Sequence, residues 1–162
     1  MNSDRDKNKG RKGERNLIKK LVFSMEEAGE DVDFRKPTFT NEPDDGLDIE
    51  LKAPHNTGER LECIARQDTT IPPPSNSKIN IRIDHKYYND KIGKAMAQKF
   101  VNDIPKNPDD SEHWITGGKG LTSGAQRVLK EAQAPTRYFS DKDLDVINAY
   151  FNEVDNENDN ES

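Results

Sequence analysis

Apolar residues recur along the chain with two different periods, and the switches between them predict its elements. In GERNLIKKLVFSMEEA, from Gly13 to Ala28, Leu17, Ile18, Leu21, Val22 and Met25 fall on one helical stripe, and Gly29 follows as a stop. DVDFRKPTFT reads as an irregular strand broken by Pro37, which suits an edge position or a bend. After the turn chemistry of NEPDDG, LDIELKA alternates Leu47, Ile49 and Leu51 with Asp48, Glu50 and Lys52. PHNTGE reads as a turn and RLECIARQ as a partner strand. IPPPSNS reads as an exposed connector, because its three prolines cannot join a central ladder. KINIRIDHK alternates again, with Ile79, Ile81 and Ile83 set against Asn80, Arg82, Asp84 and Lys86.

The second half changes period. DKIGKAMAQKFVNDI carries Ile92, Ala95, Met96, Phe100 and Ile104 near helical spacing, which predicts a helix over the sheet. The short apolar segment HWIT precedes GGKGLTSGAQRVLKEA, where Thr122 or Ser123 is placed to cap a helix bearing Ala125, Val128, Leu129 and Ala132. TRYF is a last short strand. In SDKDLDVINAYF, Ser140 with Asp143 three residues on forms a variant capping box before Leu144, Ile147 and Tyr150. The order of helix, strand run, helix, strand, helix, strand and helix describes a mixed α/β sandwich whose first half is a meander.

Composition changes this picture at the ends of the chain. The 162 residues hold 25 Lys and Arg against 31 Asp and Glu, a net charge of -6, and only 30% are hydrophobic. Such a mixture borders on that of disordered chains, but the polarity concentrates in the tails. Residues 1–12 carry five basic side chains and two acidic ones, and residues 152–162 carry five acidic and no basic ones. The expected organisation is a disordered basic arm over 1–12, one domain over 13–151 and a disordered acidic tail over 152–162. A basic arm of this kind suits electrostatic attraction to nucleic-acid phosphates, and equally a solvated arm with no dedicated partner. No apolar run approaches the ~20 residues that cross a bilayer, and the first residues lack the apolar stretch of a signal peptide; a soluble, cytoplasmic protein is expected. The single cysteine, Cys63, excludes an internal disulfide framework and a cysteine-rich zinc site, and it reads as a small buried hydrophobe in a strand.

Candidate chemistry lies on the polar faces of two strands. Asp48 and Glu50 share one face of LDIELKA, and Asp84 and Lys86 share one face of KINIRIDHK, because side chains alternate with period two. If the strands are neighbours, three carboxylates and an ammonium converge. Carboxylate oxygens suit a hard divalent ion such as Mg²⁺, and a lysine beside it can orient an attacking water. The same spacing also fits a solvated face with cross-strand ion pairs. His55, His85 and His113 show no zinc spacing, and GGKG lacks the Walker pattern, so it reads as a strand-to-helix turn whose Lys119 is still a candidate to contact a phosphate. Trp114 reads as core. Tyr87 and Tyr88 fit either a nucleotide sugar or a closed sheet edge.

The ordered set of these segments resembles the PD-(D/E)xK nuclease superfamily. GERNLIKKLVFSMEEAG resembles its first helix, with a glutamate near the start. DDGLDIEL resembles the segment with a metal-binding aspartate after a glycine turn, and IDHKYY resembles the (D/E)xK strand. Within the superfamily the sequence is most similar to Mrr-type restriction endonucleases, whose order of elements is matched by KYYNDKIGKAMAQKFV, HWITGGKGLTSGAQRVLKEA and RYFSDKDLDVI. The resemblance implies a restriction-endonuclease-like α/β core of αβββαβ order and a Mg²⁺-dependent DNA endonuclease, with Mn²⁺ able to substitute. It implies Asp48 and Asp84 as metal ligands, the main-chain carbonyl of His85 as a further ligand, Lys86 as the catalytic lysine and Glu14 as the first-helix carboxylate. Gln98 is a candidate to reach the site from the following helix. DNA is the implied partner, with a second copy of the chain or a partner subunit as a route to sequence recognition.

Two departures leave alternatives open. Asp48 and Asp84 are 36 residues apart, whereas the family joins these strands by a short hairpin; an inserted strand would account for the interval. Alternatively RLECIARQ is the active-site strand, with Glu62 in the acidic position and Arg66 as its cation; an arginine cannot act as a base, so that alignment implies a dead or altered site. A third spelling, Pro43-Asp44 with Glu50 and Lys52, compresses the motif into one strand. Functional alternatives are a degenerate nuclease-fold module that binds DNA or a protein, and a resolvase of Holliday junctions.

Overall fold

The computed structural model describes residues 18–39 and 46–161. Five strands form one mixed sheet in the order β1 to β5: β1 (Asp33–Phe39), β2 (Gly46–Pro54), β3 (Lys78–Lys86), β4 (Glu112–Gly117) and β5 (Thr136–Phe139). Strand β2 is antiparallel to both β1 and β3, and β4 and β5 extend β3 in parallel. Helix α1 covers residues 18–27. It is followed by α2 (Thr57–Ala65), α3 (Lys94–Asn102), α4 (Ser123–Lys130) and α5 (Asp141–Glu161), with a 3₁₀ turn at Ile104–Lys106. No helix among the described residues is long and apolar enough to cross a membrane.

The alternation of β2 and β3 divides the protein into two layers. Ile49, Leu51, Ala53, Ile81 and Ile83 join Trp114 and Phe139 on one face. That face packs against Ile18, Leu21 and Met25 of α1, Leu61 and Ile64 of α2, and Leu144, Ile147 and Phe151 of α5. On the other face Ile115 meets Ile92, Ala97 and Phe100 around α3 and Ala125 and Leu129 of α4. Local signals fix the starts of α4 and α5. Thr122 caps α4 by accepting from the Ala125 N–H at 3.2 Å. The box at α5 is reciprocal, since the Asp143 N–H donates to Ser140 Oγ (3.1 Å) and the Ser140 N–H to Asp143 Oδ2 (3.0 Å). Helix α5 continues to Glu161, past residue 151, where the acidic composition places the end of the domain. Pro37 falls where the β1 register shifts, between Arg35 and Thr38, on an edge strand as expected.

One element differs from the sequence reading. RLECIARQ is not a strand: Thr57–Ala65 is helical, so PHNTGE contributes the helix start and Cys63 is buried in a helix. The run is short and its Leu61, Cys63 spacing mimics strand alternation. The pair that decides is Leu61 and Ile64, three residues apart and both buried in the core formed with α5. Opposite them, Glu62 Oε1 accepts from Arg137 at 2.7 Å, and Arg137 also holds Glu112 at 2.6 Å, tying α2 to β4 and β5. The interval between Asp48 and Asp84 is therefore filled by a helix and a proline-rich connector, whose Pro72 and Pro73 carbonyls accept from Arg60 and Asn56.

Candidate functional site

Strands β2 and β3 are direct neighbours although their aspartates are 36 positions apart, and their register sets Asp48 opposite Asp84. Lys86 lies two residues further along the same face, with Nζ 3.3 Å from Asp84 Oδ2. In the parallel half Asp84 stands beside Ile115 and Lys86 beside Gly117, so the group lies on the face covered by α3 and α4, at the C-terminal end of β3. Asp84 and Lys86 are 5% and 4% exposed, whereas Asp48 is partly open. A solvated polar face would leave these groups wet.

Burial and the facing Asp84 carboxylate raise the Asp48 pKa to about 6, against smaller opposing effects of Arg82 and Lys86. Asp48 Oδ1 is buried with no hydrogen-bond partner among the described residues. Two opposed carboxylates, one with an orphaned oxygen, suit a hard divalent cation, which would offset the repulsion and use that oxygen as a ligand. The His85 ring points to the opposite face. Its Nδ1 lies 2.7 Å from Thr116 Oγ1, and burial lowers its pKa to about 4. Only the main-chain carbonyl of His85 remains as its contribution, as the resemblance implies. Among the described residues no group of three or more His, Cys, Asp or Glu side chains is assembled to hold a metal; the candidate donors are the two carboxylates and main-chain oxygen. Glu14 lies outside the described residues.

Other candidates are directed elsewhere. Glu50 lies opposite Arg82 and forms an ion pair with Arg35 at 3.4 Å. It also faces Asp110, whose pKa burial and Glu50 together raise to about 6. Thus two acids, Asp48 and Asp84, meet at the lysine, and Glu50 belongs to a neighbouring group. Asp44 lies outside the described residues, and Lys52 is exposed, which leaves the compressed spelling without a buried site. Glu62 and Arg66 are on or next to α2, and Arg66 pairs with Asp68 at 3.0 Å, so the alternative active-site strand does not exist. Gln98 is exposed and donates to Asn102 Oδ1 at 3.0 Å. Trp114 is core, edge-on to Phe139.

The sequence reading missed the importance of Arg82. It is 5% exposed, its Nε donates to His113 Nδ1 at 3.0 Å, a terminal nitrogen donates to the Phe100 carbonyl at 3.1 Å, and its guanidinium lies 4.7 Å from the Phe100 ring centroid. Burial and Arg82 together lower the His113 pKa to about 4, which keeps the ring a neutral acceptor. Arg82 alternates in phase with Asp84 and Lys86, so period two alone groups it with them. No protein-family model, curated protein or solved structure matches this chain.

Proposed function

We propose that the chain is a metal-dependent endodeoxyribonuclease with a restriction-endonuclease-like core, hydrolysing phosphodiester bonds at Asp48, Asp84 and Lys86. The observation that carries this reading is the register that sets Asp48 against Asp84, with the Lys86 ammonium 3.3 Å from the second carboxylate, on a face where the charges are withdrawn from water. A carboxyl with a raised pKa beside two buried charges at the end of a strand supports a site kept for chemistry. With α2 set aside as an insertion between β2 and β3, antiparallel β1 to β3 extended by two parallel strands supports the αβββαβ order that the resemblance implies.

Asp48 and Asp84 would hold Mg²⁺ or Mn²⁺; a bound ion supplies Lewis acidity toward a phosphoryl oxygen and lowers the pKa of water. Lys86 donates to a phosphate or water oxygen and offsets charge gathered on the reacting phosphate. Arg82 positions Asp84 and Lys86 indirectly, by anchoring their strand to α3 through Phe100 and to β4 through His113. Cleavage of supercoiled plasmid DNA in Mg²⁺ tests the reading. The wild type converts plasmid to nicked or linear forms, and Asp84→Ala and Lys86→Ala each lose at least about a hundredfold in rate. Equal rates in all three proteins would remove the assignment.

A further inference from the structure

Next to the carboxylate pair the chain builds a rigid basic surface that no step above uses. Two loops leave the C-terminal end of neighbouring parallel strands, residues 87–93 after β3 and 118–122 after β4, and they are bonded to each other as a miniature parallel ladder. Ile92 pairs with Leu121. The Ile92 N–H donates to the Gly120 carbonyl (2.8 Å), the Thr122 N–H to the Ile92 carbonyl (3.0 Å) and the Lys119 N–H to the Asp90 carbonyl (2.9 Å). Tyr138 clamps the second loop from below, donating to the Gly117 carbonyl (2.6 Å) and accepting from the Gly120 N–H (3.0 Å).

Two glycines make this approach possible. Gly117 has φ +103°, and a Cβ there would run into the Lys86 carbonyl oxygen; Gly118 has φ +72°, and a Cβ would lie 2.8 Å from the Asp90 carbonyl oxygen. The loops therefore abut the residue that carries the candidate catalytic ammonium.

Three exposed lysines stand on this support: Lys91, Lys94 at the start of α3 and Lys119. None forms an ion pair with another described residue. The one acid within the two loops, Asp90, turns its carboxylate back to the Lys91 N–H at 2.8 Å. In a chain of net charge -6, this is a local cationic surface held in place by backbone bonds, so little ordering is required when a ligand binds. Lysine ammonium groups carry no fork geometry, which suits contact with successive phosphates rather than recognition of a base or a planar carboxylate.

We infer that the paired loops 87–93 and 118–122 grip the phosphate backbone of duplex DNA through Lys91, Lys94 and Lys119, alongside the Asp48, Asp84 and Lys86 site. The inference rests on the reading of that site as a phosphodiesterase, and it is tested separately from it. The measurement is the fluorescence anisotropy of a labelled 30-base-pair duplex titrated with the full chain in Ca²⁺ over a range of salt. Wild type is compared with the triple variant Lys91→Gln, Lys94→Gln, Lys119→Gln and with a triple control on other surfaces, Lys19→Gln, Lys20→Gln, Lys130→Gln. The loop variant is expected to keep the wild-type thermal midpoint, to lower the slope of log K against log salt by about 3, and to bind roughly tenfold to a hundredfold more weakly at 0.1 M salt. The control is expected to match wild type. Wild-type affinity and slope in the loop variant, an equal loss in the control, or no duplex binding by wild type would overturn the inference. Loss of binding in the loop variant alongside a wild type that cleaves nothing in Mg²⁺ would uphold the surface and remove the nuclease reading. Cleavage by wild type with unchanged binding by the loop variant would do the reverse.

Discussion

The two faces of β3 are equally buried and chemically opposite. Ile81 and Ile83 are 0% and 2% exposed on one face; Arg82, Asp84 and Lys86 are 4–5% exposed on the other. The apolar face meets α1, α2 and α5 and stabilises the fold by removing hydrocarbon from water, roughly 1.5–3 kcal/mol for each large aliphatic side chain. The polar face meets α3 and must offset the desolvation of three charges by pairing them, which at best about breaks even against apolar residues of similar volume. A chain under no demand but to fold would gain by filling that face with hydrocarbon. The comparison teaches that the site is recognised less by its residue types than by their withdrawal from water at a place where burial is costly.

The largest expected effect breaks the polar face at its anchor. Arg82→Leu removes the cation that bonds His113 and the Phe100 carbonyl and that lowers the pKa of Asp48. It leaves acids facing one another and a buried acceptor unfilled. Urea unfolding should show a loss of about 3–5 kcal/mol, and the Asp48 pKa should rise further. Unchanged stability would mean that the arginine is not part of the charge balance of the site.

A smaller effect of opposite sign sharpens the contrast. Asp48 has its pKa raised from 3.8 to about 6, so the ionised carboxylate costs the folded state stability above pH 6. Below about pH 4 the carboxyl is protonated in both states and the cost vanishes. Asp48→Asn should therefore stabilise the metal-free protein by about 1–3 kcal/mol at pH 8, and the gain should shrink to nothing as pH falls to 4, while cleavage is lost. Destabilisation at pH 8 would show that Asp48 serves the fold rather than the site.

Much of the fold was legible because β2 and β3 obey strict alternation and α4 and α5 carry their own caps. Leu47, Ile49 and Leu51 and Ile79, Ile81 and Ile83 mark two strands without tertiary help, and Thr122 and Ser140 mark two helix starts. α2 was not legible, because nine residues with Leu61, Cys63 and Ile64 satisfy both periods and only contact with α5 chooses between them. At the site, alternation correctly put Asp84 and Lys86 on one face and Asp48 on another strand's polar face. Nothing in the sequence could set Asp48 across from Asp84, since the intervening helix and prolines hide the hairpin relation that pairs them. Nor could it separate Glu50, which the register turns toward Arg35, Arg82 and Asp110, from the two aspartates. Burial was the missing quantity: it comes from α3 and from Phe100, which belong to a different part of the chain.

The most direct test of the central claim is independent of any DNA sequence preference: titration of Mn²⁺ into the metal-free full chain at pH 7.5, followed by electron paramagnetic resonance of the free ion. The account predicts saturable binding by wild type, weakened at least about tenfold by Asp48→Asn and by Asp84→Asn, the loss of one carboxylate ligand each, and retained by Lys86→Ala. Identical Mn²⁺ binding by wild type and both aspartate variants, or none by wild type, would contradict it.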